Sequence, residues 1–344
     1  MSRINNFDTI RLLAALQVLI WHAASQLNFF DPIYGFLRVL FHFPGVPIFF
    51  ALSGFLLSYS VHGKPFDWKR YAKNRLLRIY PALWICTLLT AISILWVGPS
   101  VPLRDWGVWL ISQLTFFQPY VPQTMKSWGV GHPNGSLWSI AVELQYYVVL
   151  PLIWMRIKSF SRQMQSIFLV VIALFSLLFH ASVDHFFASD SLVAKLATVS
   201  LPYHLYFFVY GMLVYLHWDR IRTWLENKVV YWFLAYFFVV IVGAEWLGWY
   251  QNPYDYRPLG LLANGLLVGL VFSFAFSFLS FSERILKGYD ISYGLYIYHM
   301  PIVNVLVTFH ATHSGVWVVV VLVMSILFAW SSWKWIEKPM LRLK

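Results

Sequence analysis

The sequence predicts an all-α fold: a polytopic membrane helical bundle of about ten transmembrane helices with both termini in the cytoplasm. Of its 344 residues, 60% are hydrophobic and 20% aromatic, but only 11% are charged. An ordinary soluble domain carries about 25% charged residues, so much of the surface is expected to face lipid. Apolar stretches long enough to cross a bilayer recur along the chain, and basic residues cluster between alternate stretches.

Ten segments have the length and composition of a membrane span. They are residues 9–28, 40–61, 79–98, 137–155, 165–181, 199–217, 229–248, 258–280, 291–311 and 315–335. Their limits are sharp, because Asp, Glu, Lys and Arg are absent from 39–63, 79–103 and 291–333. The last of these stretches is too long for one span and divides at the polar sequence 310–315. The N-terminus lacks the pattern of a cleavable signal, so the first segment is expected to stay in the membrane.

The distribution of basic residues predicts the orientation. With ten spans, nineteen of the 25 Lys and Arg residues lie on the side of both termini and five lie on the opposite side, while Arg11 falls inside the first segment. An excess of Lys and Arg marks the cytoplasmic side. The net charge of +11 therefore reflects topology and anionic lipid head groups, and nucleic acid is not expected as a partner.

The chain is expected to form a single transmembrane domain, residues 1–344. Its longest outer connection, 99–136, is predicted to be a periplasmic loop rich in Pro, Gly and aromatic residues. Segment 106–111 within it fits an interfacial or re-entrant piece, and the loop could bind the acceptor or simply pack.

The single cysteine, Cys86, is expected to be buried and inert, and no Cys/His spacing indicates a metal site.

Ionisable side chains inside spans are costly and indicate a partner or a function. Arg11 and His22 are 11 residues apart, so they lie within about 20° of the same helix face and about 16 Å apart along the axis. Asp8 lies one turn before Arg11. These three residues either form a functional stripe, or Asp8 and Arg11 form an ion pair that anchors the helix while His22 is hydrogen-bonded within the bundle.

Four other ionisable residues are candidates for function. Glu143 lies near the outer end of its span and His299 within the ninth span, where a histidine near proline is often structural. Arg75 and Arg78 precede the third span one turn apart, which suits binding of a phosphate group, although basic inner loops are common. Together they favour a phosphate-bearing donor at the inner face and an imidazole that takes a proton from a hydroxyl, as acyl transfer to an alcohol requires.

Six motifs, in order along nearly the whole chain, resemble the membrane acyltransferase-3 family, whose members O-acylate bacterial surface polysaccharides. They are Asp8, Arg11 and His22; Gly45, Val46, Phe49, Phe50, Leu52, Ser53, Gly54 and Phe55; Arg75, Arg78, Ile79 and Pro81; residues 136–139 with Val142, Glu143, Gln145, Tyr146 and Tyr147; Tyr293, Leu295, Tyr296, His299 and Pro301; and Glu337, Lys338 and Pro339. The chain departs from the family pattern at Ile10 and Leu12, where glycines are common, and at Leu144, where a second acidic residue is common. It is expected to lack an appended soluble esterase-like domain.

The resemblance implies a multi-pass protein of the bacterial inner membrane that transfers an acyl group, most simply acetyl, from cytoplasmic acyl-CoA to a hydroxyl of an envelope glycan or lipid-linked sugar. Acetyl-CoA or another acyl-CoA would be a co-substrate, with no permanently bound cofactor and no metal. The implied catalytic residues are His22 as general base, Arg11, Asp8 and Glu143. The implied donor-binding residues are Arg75, Arg78 and Ser53. The implied acceptor-binding or supporting residues are His299, Tyr298 and Trp138.

Several alternatives remain compatible with the sequence. Ser53 stands beside Gly54, and small residues there also serve close helix packing. Transfer could be direct or could pass through an acyl-His22 intermediate. A transporter or flippase of a lipid-linked sugar also needs many spans and buried charges, although no internal repeat supports it. A non-catalytic scaffold would tolerate loss of His22. The acceptor sugar and the oligomeric state are not indicated.

Overall fold

The computed structural model describes residues 5–29, 34–62, 66–248, 254–278 and 280–344. Helices and the connections between them account for these residues, and no strand occurs among them, which confirms the predicted all-α class. The α-helices in this part of the chain are α1 (Phe7–Gln26), α2 (Tyr34–Phe41), α3 (Gly45–Val61), α4 (Trp68–Val97), α5 (Leu103–Gln113), α6 (Trp138–Ile157), α7 (Arg162–Phe186), α8 (Leu192–Thr198), α9 (Leu201–Leu216), α10 (Trp218–Leu225), α11 (Val229–Phe237), α12 (Pro258–Ala275), α13 (Phe281–Leu286), α14 (Ser292–Thr308), α15 (Gly315–Ser332) and α16 (Lys338–Leu341). Segments of π-helix, Phe238–Trp246 and Trp333–Glu337, continue α11 and α15.

Within the described residues, eight helical segments are long and apolar enough to cross a bilayer, or nine if Trp218–Leu225 and Val229–Gly243 form one span bent by 82°. The sequence predicted about ten. The difference arises at this bend and at α14, which occupies predicted segment 291–311 but has only 17 residues, the lower limit for a span. The polytopic character of the chain is thus confirmed, and the side on which each terminus lies stays a prediction.

The chain divides into two compact units, and neither is continuous in sequence. The first unit contains Met1–Ala14, Phe41–Pro65 and Gln145–Gly288, and the second contains Ala15–Leu40, Phe66–Leu144 and Tyr289–Lys344. The boundaries fall within α1 and α6, so the first turns of α1 belong to the first unit and its remaining turns to the second. The division therefore does not separate consecutive domains along the chain.

In the first unit, α3 and α9 pack closely because glycines lie at their contact. A Cβ atom on Gly54 would collide with the backbone carbonyl of Phe208, and one on Gly211 would collide with that of Ala51. Phe50 stacks on Phe208 with ring centroids 4.4 Å apart. Small residues at helix contacts are the usual means by which helices approach closely in membranes. These contacts support the packing interpretation of the motif around Ser53.

In the second unit, the predicted loop 99–136 is folded. Segment 106–111 lies within α5, and a buried cluster joins Ala91 and Ile94 of α4 to Trp109, Met125 and Trp128. The loop is therefore packed against α4 within this unit. Whether it is re-entrant, and on which side of the membrane it lies, stays a prediction.

The end of this loop is tied to α14 by Asn304, which is fully buried. The Asn304 side-chain nitrogen donates to the carbonyls of His132 and Pro133 at 2.9 and 3.1 Å, and its oxygen accepts the amide of Val130 at 2.8 Å. One amide side chain thus satisfies three backbone groups of the loop.

Candidate active site

Two predicted site residues, His22 and His299, are in direct contact within the second unit. Nδ1 of His22 lies 2.9 Å from Nε2 of His299, and the two rings stack with centroids 5.2 Å apart. His299 is fully buried in α14, whereas His22 in α1 is only partly buried. The sequence predicted each histidine separately, and the fold brings them together across 277 residues.

The hydrogen bonds of this pair assign the protons of the two neutral rings. Nδ1 of His299 lies 3.1 Å from the carbonyl oxygen of Leu295. A carbonyl can only accept, so Nδ1 of His299 carries the proton and its Nε2 is an acceptor. Nδ1 of His22 must then donate to that Nε2, and the Nε2 of His22 is left with a free lone pair. Nε2 of His22 has no hydrogen bond to any residue that the structure describes.

Pro301 shapes α14 next to His299. Proline has no amide hydrogen, so the carbonyl of Ile297 loses the helical donor four residues ahead. The Asn134 side chain replaces that donor at 2.8 Å, and the thiol of Cys86 lies 3.2 Å from the same oxygen. Side chains from elsewhere in the unit thus satisfy the backbone group that proline releases, as a membrane interior requires.

The predicted motif 136–139 also contacts α14 beside His299. Ser136 Oγ donates to the carbonyl of Tyr296 at 3.1 Å, and the Tyr296 hydroxyl lies 3.1 Å from the carbonyl of Ser136. Ser139 Oγ lies 2.6 Å from the same hydroxyl. The two serines therefore fix the start of α6, and the turn just before it, to the turn of α14 that precedes His299.

Glu143 lies half-buried on α6 in the same unit. Its carboxylate acts electrostatically on the hydroxyls of Tyr296 and Tyr71. Arg75 acts on Tyr71 as well, with its guanidinium carbon 5.7 Å from the ring centroid. Glu143 and Arg75 are therefore both near Tyr71, which sequence analysis assigned no role.

Arg78 forms an ion pair that the sequence did not predict. Its guanidinium lies 2.5 Å from Oδ2 of Asp290, and the other carboxylate oxygen of Asp290 accepts from Ser292 Oγ at 2.5 Å. Both charged side chains are largely buried, with 21% of Arg78 and 11% of Asp290 exposed. The pairing gives Arg78 a structural role, and its contact with a donor stays a prediction.

Tyr298 belongs to a buried polar chain. Its hydroxyl lies 3.3 Å from the carbonyl of Ala82 and 3.3 Å from Ser332 Oγ, and Ser332 donates to Glu337 Oε1 at 3.0 Å. Glu337 is 2% exposed, and it belongs to the last of the six predicted motifs. These contacts join α14 to α4 and α15. They favour a role for Tyr298 in holding the helices around His299.

At the start of α1, in the first unit, Asp8 and Arg11 form the ion pair that one of the two sequence interpretations predicted. Arg11 Nη1 lies 2.9 Å from Asp8 Oδ1, and about half of the Asp8 side chain is exposed. Helix α1 is continuous through Arg11 and His22, so the shared helix is confirmed. Nothing in this pairing tests a catalytic role for either charged residue.

Ser53 and Trp138 complete the predicted set. Ser53 is half-buried on α3 of the first unit, one residue before Gly54. Trp138 is the first residue of α6 in the second unit and is half-buried. The roles of both residues stay predictions.

Asn134 and Asp290 were not among the residues predicted from the sequence. Asn134 lies between Pro133 and Gly135, where an asparagine is typical of a turn, and its role becomes visible in its hydrogen bond to the released carbonyl of Ile297. Asp290 is the acidic residue directly before the charge-free stretch 291–333, a position that could have marked it as a partner for a basic residue.

The described residues contain no group of three His, Cys, Asp or Glu side chains that could hold a metal ion.

The chain matches the model of an acyltransferase domain family over residues 4–334. It is similar to nodulation protein 10 of Rhizobium leguminosarum bv. viciae, with 30% identity over 99% of this chain and 94% of the relative. It is also similar to the O-acetyl transferase of Shigella phage Sf6, with 26% identity over 99% of this chain and 97% of the relative. The O-acetyltransferase OatA of Staphylococcus aureus is 24% identical over 96% of this chain but only 56% of the relative. No solved structure matches the chain.

Proposed function

The chain belongs to this acyltransferase family, and we propose that it is an O-acetyltransferase of the bacterial inner membrane that uses acetyl-CoA to modify a hydroxyl of an envelope glycan or lipid-linked sugar. The acyltransferase activity follows from the family. The acetyl group is proposed because two similar proteins are named as O-acetyl transferases. The inner membrane and the cytoplasmic termini are proposed from the distribution of Lys and Arg.

The observation that carries the proposed mechanism is the hydrogen bond between His22 and His299. Because His299 Nε2 accepts the proton of His22 Nδ1, Nε2 of His22 has a lone pair and is the base. When that nitrogen takes a proton, the positive charge that forms on His22 stays hydrogen-bonded to His299. The buried partner thus fixes the tautomer and the ring orientation of the base, as the third residue of a hydrolytic triad does.

The proposed reaction begins when Nε2 of His22 takes the proton of the acceptor hydroxyl. The hydroxyl oxygen forms a bond to the thioester carbonyl carbon, and the tetrahedral intermediate collapses as the carbon–sulfur bond breaks. His22 returns the proton to the departing thiolate, so the products are the acetyl ester and free CoA. A positioned general base of this kind contributes about 10²–10⁴-fold to rate.

A variant of this route passes through acetylated His22. The same Nε2 lone pair would attack the thioester first, and the acceptor hydroxyl would then take the acetyl group from the imidazole. Both routes use the same nitrogen and the same support from His299. They differ in kinetics, since only the second allows CoA to be released before the acceptor binds.

The test is acetyl transfer by the full-length protein in nanodiscs, with acetyl-labelled acetyl-CoA and an envelope glycan extract. Wild-type protein should place label on the glycan in an alkali-labile ester, and His22→Ala should lower the rate about 10²–10⁴-fold. Release of CoA in the absence of glycan would favour the route through acetylated His22.

His185→Ala is a matched control, because His185 is also a histidine on a long helix but lies in the first unit, at the end of α7. It should transfer acetyl groups at the wild-type rate. If purified wild-type protein leaves the glycan unlabelled, but moves a fluorescent lipid-linked sugar across liposomes, the transferase proposal fails and transport is favoured.

A further inference from the structure

The first unit contains a polar cavity that none of the predicted site residues lines. Its volume is about 460 Å³, and its wall includes Tyr59, His62, Arg162, Tyr215, Trp218 and Arg222. Sites for small molecules have volumes of about 300–1,000 Å³ and a few convergent polar groups. The cavity is therefore large enough for a ligand head group and carries side chains that could hold one.

The charge of the cavity is positive. Two arginines line it, Arg162 at the start of α7 and Arg222 on α10, against one carboxylate, Asp219. Arg162 reaches Asp219 only at 3.7 Å, and 79% of the Asp219 side chain is exposed. Arg222 makes no ion pair and no side-chain hydrogen bond with any residue that the structure describes. At least one guanidinium is thus available to an anion.

A third polar group, His62, contacts two aromatic side chains. Its ring lies 4.4 Å from that of Trp154, and Nδ1 lies 3.2 Å from the hydroxyl of Tyr215. Burial lowers the pKa of His62, and the charge of Arg162 lowers the pKa further. Arg162 is therefore close enough to His62 to act on it electrostatically.

We propose that this cavity is a phosphate-binding site, in which the guanidinium groups of Arg162 and Arg222 hold the phosphate of a ligand. Guanidinium groups bind phosphate oxygens through paired, charge-assisted hydrogen bonds. Tyr59 and Tyr215 offer aromatic surface beside the two arginines. Arg162 and Arg222 are among the basic residues on the side that the distribution of Lys and Arg predicts to be cytoplasmic.

Two ligands share this chemistry. One is the phosphorylated nucleotide of an acyl-CoA, and the other is the head group of an anionic phospholipid, which also meets basic residues at the cytoplasmic surface. The first of these ligands rests on the proposed acyl-CoA donor, whereas the site itself is inferred without reference to the chemistry at His22. Its failure would leave the proposed acetyl transfer untouched.

The experiment uses the full-length protein and two probes. Binding of 3′,5′-adenosine diphosphate is measured by titration calorimetry in phosphatidylcholine nanodiscs, with adenosine as the probe that lacks phosphate. Retention of phosphatidylglycerol is measured by native mass spectrometry. Arg162→Gln/Arg222→Gln should weaken the binding of one of the two phosphate probes at least tenfold, and adenosine should not bind.

Arg220→Gln is the matched control, because Arg220 is an exposed arginine on α10 that does not line the cavity. It should bind both probes as wild type. Loss of nucleotide binding in the double variant assigns the site to a nucleotide, and loss of lipid retention alone assigns it to a phospholipid. The single variant Arg222→Gln is included in case the double variant misfolds. Arg222 has no described structural partner, so this substitution should leave the fold intact.

The proposal is overturned if wild-type protein binds neither phosphate probe. It is also overturned if the double variant binds both probes as tightly as wild type, or if Arg220→Gln weakens binding as much as the double variant. In the last case the overall positive surface, and not the cavity, would be responsible for binding.

Discussion

In the proposed mechanism, the contact between His22 and His299 determines which nitrogen of His22 acts on a substrate. A histidine alone interconverts between two neutral tautomers, but His299 accepts only from Nδ1 of His22 while its own Nδ1 donates to Leu295. Reactivity is thereby concentrated at one atom. Orientation of a working imidazole by a second, buried group is a recurrent device in metal sites and nucleophilic sites alike.

Substitution of His299 should affect turnover more than donor binding. His299→Ala removes the acceptor for His22 Nδ1, and kcat should fall about 10–100-fold, the usual effect of losing an orienting partner, with KM for acetyl-CoA little changed. His299→Gln offers a carbonyl oxygen as the acceptor and should recover part of kcat. Steady-state acetyl transfer measures both constants. Equal kcat for the Ala and Gln variants, at equal thermal stability, would contradict the orienting role.

The two arginines of the predicted donor motif should respond differently to substitution. Arg78→Ala leaves Asp290 as a largely buried carboxylate without its ion-pair partner, so unfolding free energy should fall by about 3–5 kcal/mol. Arg75→Ala should raise KM for acetyl-CoA while thermal stability changes less, if Arg75 binds the donor. Thermal denaturation and steady-state kinetics of both variants check this. A larger loss of stability in the Arg75 variant than in the Arg78 variant would contradict it.

The sequence could single out each of these side chains, because an ionisable residue in or beside an apolar stretch stands out. It could not reveal their partners. His22 and His299 are 277 residues apart, and Arg78 and Asp290 are 212 apart, so no local periodicity relates them. Sequence spacing did predict the Asp8–Arg11 pair as one of two interpretations, because residues three apart on a helix are neighbours.

At the scale of helices, α14 contains a proline that leaves one backbone carbonyl without its helical donor, and other segments supply the hydrogen bonds to that carbonyl. Pro301 releases the carbonyl of Ile297, and Asn134 and Cys86 supply the hydrogen atoms that the helix no longer provides. The proline was visible in the sequence within a predicted span. The donors were not, because they come from a loop and from α4.

Asn134→Ala should therefore destabilise the protein by about 1–3 kcal/mol, the usual effect of leaving a buried backbone group with a weaker partner. Pro301→Ala restores an amide four residues after Ile297, so the double variant should lose less than the sum of the two single variants. Thermal denaturation of the four proteins gives this coupling. Strict additivity would contradict the compensating role of Asn134.

At the scale of the whole molecule, hydropathy and charge were sufficient to predict a polytopic helical protein. The count of spans was less certain for physical reasons: α14 has only 17 residues, and the chain bends by 82° between Trp218–Leu225 and Val229–Gly243. The hydrophobic period and the length of an apolar segment locate a helix. They do not show where the helix bends or its depth in the membrane. The structured loop around Trp109 and Trp128 likewise depends on contacts with α4 that composition does not specify.

Acidification should destabilise the fold through histidines outside the spans. Burial lowers the pKa of His62 and His217 below 6.5, and Arg162 lowers both further, with Arg220 also acting on His217. The folded state therefore binds fewer protons than the unfolded state as pH falls through about 6.5, and the free energy of unfolding decreases.

This prediction is checked by thermal denaturation between about pH 7.5 and pH 5.5. The fall in melting temperature should be smaller in His62→Gln/His217→Gln than in wild type. His313→Gln is the control, because His313 lies in an exposed turn. A double variant with the same acid dependence as wild type would contradict the assignment.

Cys86 is the only cysteine of the chain and is buried. Thiol labelling can therefore be applied to introduced cysteines without first removing Cys86. Its sulfur is enclosed between Ile297 and Asn134, so a charged maleimide should report only on cysteines introduced elsewhere. Arg104→Cys should then react in intact cells, whereas Lys344→Cys should react only after the membrane is permeabilised. The opposite pattern would invert the orientation expected from the basic residues, and with it the face from which an acyl donor must approach.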